Sequence, residues 1–529
     1  MTLDTQTRRR TLLRRGGLLA TTVAALMLAA CGGGGGGGSD SGGAGTGGSG
    51  SGGSGDTGTG SGGGGPSPGG GGDTGSGSTS PNPIIYIADE DSDEINELYL
   101  ADASSPNGST KLNGPLVAGG SVDQYATTPD GQTAIYIADG SVSGRYELYS
   151  VNLASPGVAT KLNAQLQSNR DVLDFIVSPD GTKVVYRADV TDDIYELFVV
   201  DLAHPGVATK LNAPLTAGGS VRAGYRFSPD SSRVLYRADQ STVEVYELFI
   251  TQLSNPGVAQ RVHPQMGADR DVYDEFDFSP DGQRIGYVAD QDANDVLELY
   301  TVAVSNPGTS VKLNGPMVAG GDVCRFQFAP DSARVAYCAD QTTDGVVELY
   351  TVALNTPGVS TKINPPLVAG GRVTTLYEFG PQSDFIVYVA EQDTAGRPEL
   401  YRAELSMPGV ATKLSAPLVS GGGVVGFDMR PDGARISYNA NQDNAGVYEL
   451  YEVDFASAGV ATKLSAPMSA SGVMWFEYTH AGDRMIYTAD QESAATELYR
   501  VEIVAPTIAA KINGALVTGG EVHDFMIVP

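Results

Sequence analysis

The sequence is short of the residues that build compact metal, redox and aromatic sites. Among 529 residues there are four His, three Cys and a single Trp. Four His lying far apart leave little material for a His-rich metal centre. One Trp, Trp475, argues against Trp-docked quinoprotein blades and Trp-lined sugar clefts. Basic residues are scarce as well, 33 against 62 acidic, for a formal charge of −29. Five arginines lie in the first 80 residues, so residues 81–529 hold 28 basic against 58 acidic side chains. A body this acidic repels phosphate backbones, so nucleic acid is excluded as an expected partner. The body also lacks any amphipathic helical periodicity.

What is present begins with an address. Arg8, Arg9, Arg10, Arg14 and Arg15 precede an apolar stretch from Leu18 to Ala30. That stretch is too short to span a bilayer comfortably and suits the core of a signal peptide. It ends Leu28-Ala29-Ala30-Cys31, which resembles the bacterial lipobox, and the resemblance implies a lipidated Cys31 as the mature N-terminus. The arginines fit either a twin-arginine export signal or an Arg-rich Sec signal. Gly32 follows the cysteine where many bacterial lipoproteins retained at the inner membrane carry Asp. The expected location is therefore the outer membrane, on its periplasmic or surface face. Residues 32–80 are mostly Gly with Ser and Thr, a composition unable to bury enough apolar surface to fold. A Gly-rich coil of this length spans roughly 40 Å. The expected divisions are 1–30 signal peptide, 31–80 lipidated Cys and tether, and 81–529 folded body.

The body repeats. A Tyr-x-Ala-Asp marker, or a close variant, starts at Tyr86, Tyr136, Tyr186, Tyr236, Tyr287, Tyr337, Tyr388, Tyr438 and Tyr487, at intervals of 49 to 51 residues. Nine such units point to a propeller or solenoid. Each reads as four short strands. In one unit strand A is Val172 to Val177, Ser178-Pro179-Asp180-Gly181 turns the chain, and strand B runs from Lys183 to Arg187. Strand C is Tyr195 to Leu202, and Pro205-Gly206 leads to strand D, Val207 to Leu211. The first unit lacks strand A, and Val522 to Val528 is an A strand without a unit. Added to the first unit, that strand removes two exposed edges and closes a ring. The predicted fold is all-β, a closed propeller of about nine four-stranded blades; an open superhelical array leaves the orphan strands unexplained.

Phe278 to Tyr287, Phe-Ser-Pro-Asp-Gly-x-x-Ile-x-Tyr, followed by Glu298 to Val302, Glu-Leu-Tyr-x-Val, resembles the TolB-type, WD-like propeller repeat. The resemblance covers residues 81–529, about 85% of the chain. It implies a propeller but no particular activity, since such repeats serve binding scaffolds and enzyme-associated propellers alike. Many blades of that family are shorter and form rings of six to eight.

A residue that recurs in every blade serves what every blade needs, which is folding. Pro-Asp-Gly shapes a turn. The Glu of Glu-Leu-Tyr recurs nine times, as does a basic residue on strand D, where a charge protects the blade edge. Asp89, Asp91 and Asp93 fall short of a calcium loop, because Glu94 stands where Gly is needed and Leu100 where the bidentate Glu belongs. Neither a metal nor a cofactor is expected. Function belongs where blades differ, in the D-to-A loops. Most read Ala-Gly-Gly-x-Val, but two carry an Arg-Asp step, Arg170-Asp171 and Arg270-Asp271. With Arg222, Asp322, Arg372, Glu521 and His523 they form a candidate polar binding ring. Cys324 and Cys338 are a candidate disulfide: a three-residue loop at 330–332 sets them opposite, whereas one residue more puts them out of register.

No nucleophile or acid–base pair stands out, and a peptidase of the propeller-plus-hydrolase type is not expected, since it needs a second catalytic domain and the repeats run to residue 529. The expectation is a monomeric, non-enzymatic scaffold, anchored in the membrane through Cys31 and binding a protein partner in the cell envelope. The alternative is a carbohydrate-active or other extracytoplasmic propeller enzyme using a carboxylate site.

Overall fold

Nearly continuous apolar segments punctuated by Pro, Gly and Asp leave a sheet with two apolar faces, and the computed structural model shows how both are covered. It describes residues 83–529 except 106, 107, 192, 193, 268, 469, 470 and 507; the signal peptide, Cys31 and the tether lie outside the described residues. Thirty-six strands form nine four-stranded antiparallel sheets, each ordered A-B-C-D. Blades two to nine follow one another in sequence, with A strands opening at Val122, Val172, Arg226, Val272, Val323, Val373, Val424 and Val473. Blade one takes strands B, C and D from Pro83–Ala88, Glu97–Asp102 and Ser109–Lys111, and strand A from Val522–Ile527.

That last strand pairs antiparallel with Pro83–Ala88, Ile84 opposite Ile527 and Tyr86 opposite Phe525. The core is divided among blade interfaces. Nine apolar clusters exist, each shared by two neighbouring blades: Tyr225 and Tyr236 of blade four pack on Val185 and Leu197 of blade three, and Ile486 and Leu498 of blade nine pack on Ile84 and Phe525 of blade one. The ninth cluster makes the ring continuous.

The unit containing Ser178-Pro179-Asp180-Gly181 shows how sequence becomes local geometry. Asp180 accepts from Ser178 Oγ (2.6 Å) and Thr182 N (3.0 Å), and Gly181 takes φ 70°. These hydrogen bonds outweigh burial and hold the Asp180 carboxyl below its ordinary range. Where a unit has Ser in place of that Gly, Ser231 and Ser332 keep the positive φ, and their hydroxyls accept the Asp180 and Asp281 N–H of the preceding blade (both 3.0 Å). The substitution thus converts a turn residue into a link between blades. This blade differs from expectation in one respect. Strand B runs past the expected Arg187 to Thr191, which pairs with Ile194 of strand C.

The strand D cation does more than guard an edge. In each blade it reaches the Glu of Glu-Leu-Tyr on strand C, as in Lys312–Glu298 (2.7 Å), Lys413–Glu399 (2.8 Å) and Arg261–Glu247 (2.8 Å). Burial disfavours the Lys312 ammonium, but Asp292 and Glu298 outweigh it and hold its pKa above the ordinary value.

Cys324 and Cys338 are bonded, with Cα atoms 5.5 Å apart. The register is reached by a different route from the one anticipated. Ala329 N bonds Arg334 O, so the loop is the longer one, and Arg325 stands opposite Cys338. A bulge at Cys324 restores the alignment. The bond closes a short loop, with a sequence separation of 14. Reduction is expected to cost about 3 kcal/mol by loop entropy; chemical denaturation with and without reductant measures it, and Cys338→Ala should show no such difference.

Candidate functional site

The D-to-A and B-to-C loops lie on one face of the ring, and the structure resolves how they are tied together. The Asp of Tyr-x-Ala-Asp accepts the N–H of the residue just before the Val that opens strand A, or in blade four precedes it: Ser220 to Asp239 (2.6 Å), Asp271 to Asp290 (2.6 Å), Asp322 to Asp340 (2.6 Å) and Gly472 to Asp490 (2.7 Å). The side chain of that pre-strand residue then accepts an N–H from the preceding blade. Asp171 takes Tyr146 N (2.8 Å), Ser220 takes Tyr195 N (2.8 Å), Asp271 takes Tyr246 N (2.6 Å) and Asp322 takes Leu297 N (2.7 Å). Three of the acids singled out in the sequence are therefore joints between blades. Burial, reinforced by the neighbouring Asp290 or Asp340, pushes the Asp271 and Asp322 carboxyls above their ordinary range.

The predicted cations sit beside them. Arg170 pairs with Asp189 (3.2 Å), and Arg270 donates to the Gln291 carbonyl (2.7 Å). Arg372 pairs with Glu391 (3.3 Å), and His523 approaches Asp89 (3.6 Å). Arg222 lies over the Tyr246 ring, 4.4 Å from its centroid, and donates to its hydroxyl. The Glu521 N–H goes to Asp89, while its side chain is exposed. The bonds resolved for these residues run within a blade or to its neighbour, and the residues are spread around the face through blades one and three to seven.

A second set emerges only from strand geometry. In eight blades strand A bulges directly after its buried Val, and in blade four Val221 makes an isolated bridge ahead of the strand. Strand A is innermost, with one edge paired to strand B and the other turned to the axis of the ring. The residue after the Val is Asp123, Leu173, Arg222, Tyr273, Cys324, Thr374, Val425, Met474 or His523, nine residue types in nine blades. All are at least partly exposed, Val425 by 39% and Met474 by 43%. Arg222, Cys324 and His523 were already candidates; the others were missed. The available signal is the first position after the recurring Val, the one place where the repeat dictates no residue type.

No family model and no curated protein sequence matches the chain. Solved structures do match the fold. A dipeptidyl peptidase 4 from Porphyromonas gingivalis superposes with TM-score 0.53 at 15% identity, over 74% of this chain and 59% of that one. A eukaryotic initiation factor superposes with TM-score 0.53 at 12% identity, over 85% of this chain and 99% of that one. An oligogalacturonate lyase in complex with manganese is looser, with TM-score 0.38 at 14% identity, over 74% and 98%. The chain thus spans 59% of the length of the peptidase it matches. The likeness to the peptidase corrects the expectation of a non-enzymatic protein. A fold that a peptidase also carries gives that expectation no support, and the carboxyls of Asp271 and Asp322, raised by burial, keep the carboxylate-site alternative open.

The joint role of Asp322 has a separable test. Asp322→Ala leaves the Leu297 N–H without its acceptor and should cost about 1.5–3 kcal/mol, whereas Asp322→Asn keeps an acceptor oxygen and should cost little. A carboxyl whose pKa is raised in the fold weakens the folded state while ionised, and stability recovers as pH falls through that raised value. Thermal melts from neutral to acid pH should show this recovery in the native chain and a smaller one in Asp322→Asn.

Proposed function

We propose that the protein is a lipid-anchored, extracytoplasmic β-propeller that captures a protein partner at the axial mouth of the ring. The observation that carries this reading is the position after the recurring Val, a bulge in eight blades and the residue after the isolated bridge in blade four. In each blade it lies at the start of the innermost strand on the loop-bearing face, and there the repeat varies in every blade while the surrounding positions recur. A position the fold leaves free to vary, on a rigid scaffold, is where recognition is built. Exposed Met474 and Val425 supply apolar contact, and Arg222, Tyr273 and His523 supply directional groups. Arg170 and Arg270 stand in the loops behind this mouth. The lipobox-like Cys31 and the Gly-rich stretch to residue 80 support a body held on a flexible tether, at the outer membrane.

A second reading has its own observation. Asp271 beside Asp290, and Asp322 beside Asp340, place a carboxyl of raised pKa next to another carboxylate on the same face. Such pairs supply acid–base chemistry in a propeller enzyme, so the ring would select the substrate that they act on.

Crosslinking in intact cells followed by capture of the chain tests the first reading. Replacing Arg170 and Arg270 together with Ala should lower recovery of the crosslinked partner about tenfold, equivalent to about 1.4 kcal/mol, with melting behaviour unchanged. Undiminished recovery rejects the assignment of these loops. The anchor has a separate check: Cys31→Ala should move the protein from the membrane fraction to the soluble fraction.

A further inference from the structure

Four residues after the marker tyrosine the chain carries Glu90, Gly140, Val190, Gln240, Gln291, Gln341, Gln392, Gln442 or Gln491. In seven blades this side chain accepts the hydroxyl of the tyrosine. Tyr236 donates to Gln240 (2.7 Å), Tyr287 to Gln291 (2.6 Å), Tyr337 to Gln341 (2.6 Å), Tyr388 to Gln392 (2.7 Å), and the same bond forms in blades one, eight and nine. Blade three has Val190 at the position, on its lengthened strand B. Blade two has glycine. Where blades five and six add a serine on strand D that bonds the glutamine, blade two has Ala159.

The result is a half-open cavity of about 370 Å³ at the outer rim, between blades one and two. Tyr136 lies at its base and Gly140 on its wall, with Pro115, Leu116 and Val158 among the residues around it. Tyr136 is 2% exposed. Its oxygen accepts the Gly114 N–H (3.1 Å), and its hydroxyl proton has no acceptor among the described residues. A buried O–H donor facing a cavity, where seven sister tyrosines hold a carbonyl or carboxylate oxygen, is an unfilled half of a recurring bond.

We propose that this cavity receives the carboxamide of a glutamine side chain from a polypeptide partner. Four observations select that occupant. The unused group at the base is the Tyr136 hydroxyl donor, so the incoming atom is an acceptor oxygen. The ring itself fills the equivalent space with glutamine in six blades. The chain's charge of −29 favours the neutral carboxamide over a carboxylate. Val158, 69% exposed beside the opening, with Pro115 and Leu116, offers apolar contact for the chain flanking the glutamine. The cavity stands apart from the axial mouth and does not depend on the reading given for it.

The same comparison supplies the test. Gly140 does not need a positive φ, and the nearest atoms to a Cβ there are the hydroxyl and ring of Tyr149, at 3.0–3.3 Å, so that side chain must yield by a few tenths of an ångström. Gly140→Gln should fold with a melting temperature at or above that of the native chain and fill the cavity from within. Calorimetric or NMR titration of the full chain would use the capped peptides Ala-Gln-Ala, Ala-Glu-Ala and Ala-norvaline-Ala. Weak, saturable binding of the glutamine peptide is expected, at least tenfold tighter than the norvaline peptide and tighter than the glutamate peptide. Binding should be lost in Gly140→Gln and weakened severalfold in Tyr136→Phe. If Gly140→Gln does not fold, Gly140→Val, the residue type of blade three, takes its place as the filler. Equal binding of the norvaline peptide, binding undiminished by the filler, or no saturable binding of any peptide would overturn the proposal; tighter binding of the glutamate peptide would overturn the choice of a neutral head.

Discussion

Every blade in this ring depends on its neighbours for a hydrophobic core. A four-stranded sheet whose strands are apolar on both sides cannot hide either face alone, and each of the nine core clusters is drawn from two blades. The arrangement has no free end only because Val522–Ile527 pairs with Pro83–Ala88. That pairing joins residues more than 400 positions apart, and it places Ile527 and Phe525 in the cluster that blades one and nine share. Without it, both terminal blades would expose an apolar face and an unpaired edge.

Polar links set the blades in register on both faces. On the loop-bearing face, Asp171, Asp271 and Asp322 accept backbone N–H groups from the preceding blade, and on the other Ser231 and Ser332 do the same. Between blades, buried groups form hydrogen-bonded networks. Arg187 bonds Asp174 (2.6 Å), which also accepts from Tyr225 (2.9 Å), and Tyr478 joins Ser437 to Glu452 (both 2.6 Å). Low-dielectric surroundings make such bonds strong and their loss costly, so they specify which neighbour fits where. Much of the charge on the proposed binding face is thereby committed to structure, which leaves recognition to the side chains that the fold does not occupy.

Those side chains are found where the repeat is broken. At the position after the recurring Val it breaks in all nine blades, and every residue there is at least partly exposed, outside the buried cores that the repeat must conserve. At Gly140 it breaks once, and the missing side chain leaves a cavity with an unused donor. Both features follow from one principle. Repetition makes the scaffold rigid, so a departure from it has a fixed position and a fixed chemical character.

The architecture was legible in the sequence because its determinants are local. The turn at Ser178 to Gly181, the nine marker tyrosines and the unaccompanied strand A each carry their geometry in a few consecutive residues. Pairings that depend on the third dimension were not legible. The strand D cations looked like edge guards, yet they meet glutamates on strand C. Cys324 reached Cys338 through a bulge that the loop arithmetic did not contain. Asp171 and Asp271 looked like a binding motif, yet they accept N–H groups from other blades. By itself the sequence determined the number of blades, the order of strands and the closing strand, since periodic local signals specify these. The tertiary structure alone decided which departures from the period lie on the innermost strand, which join two blades and which open a cavity, since these depend on neighbours about fifty residues away.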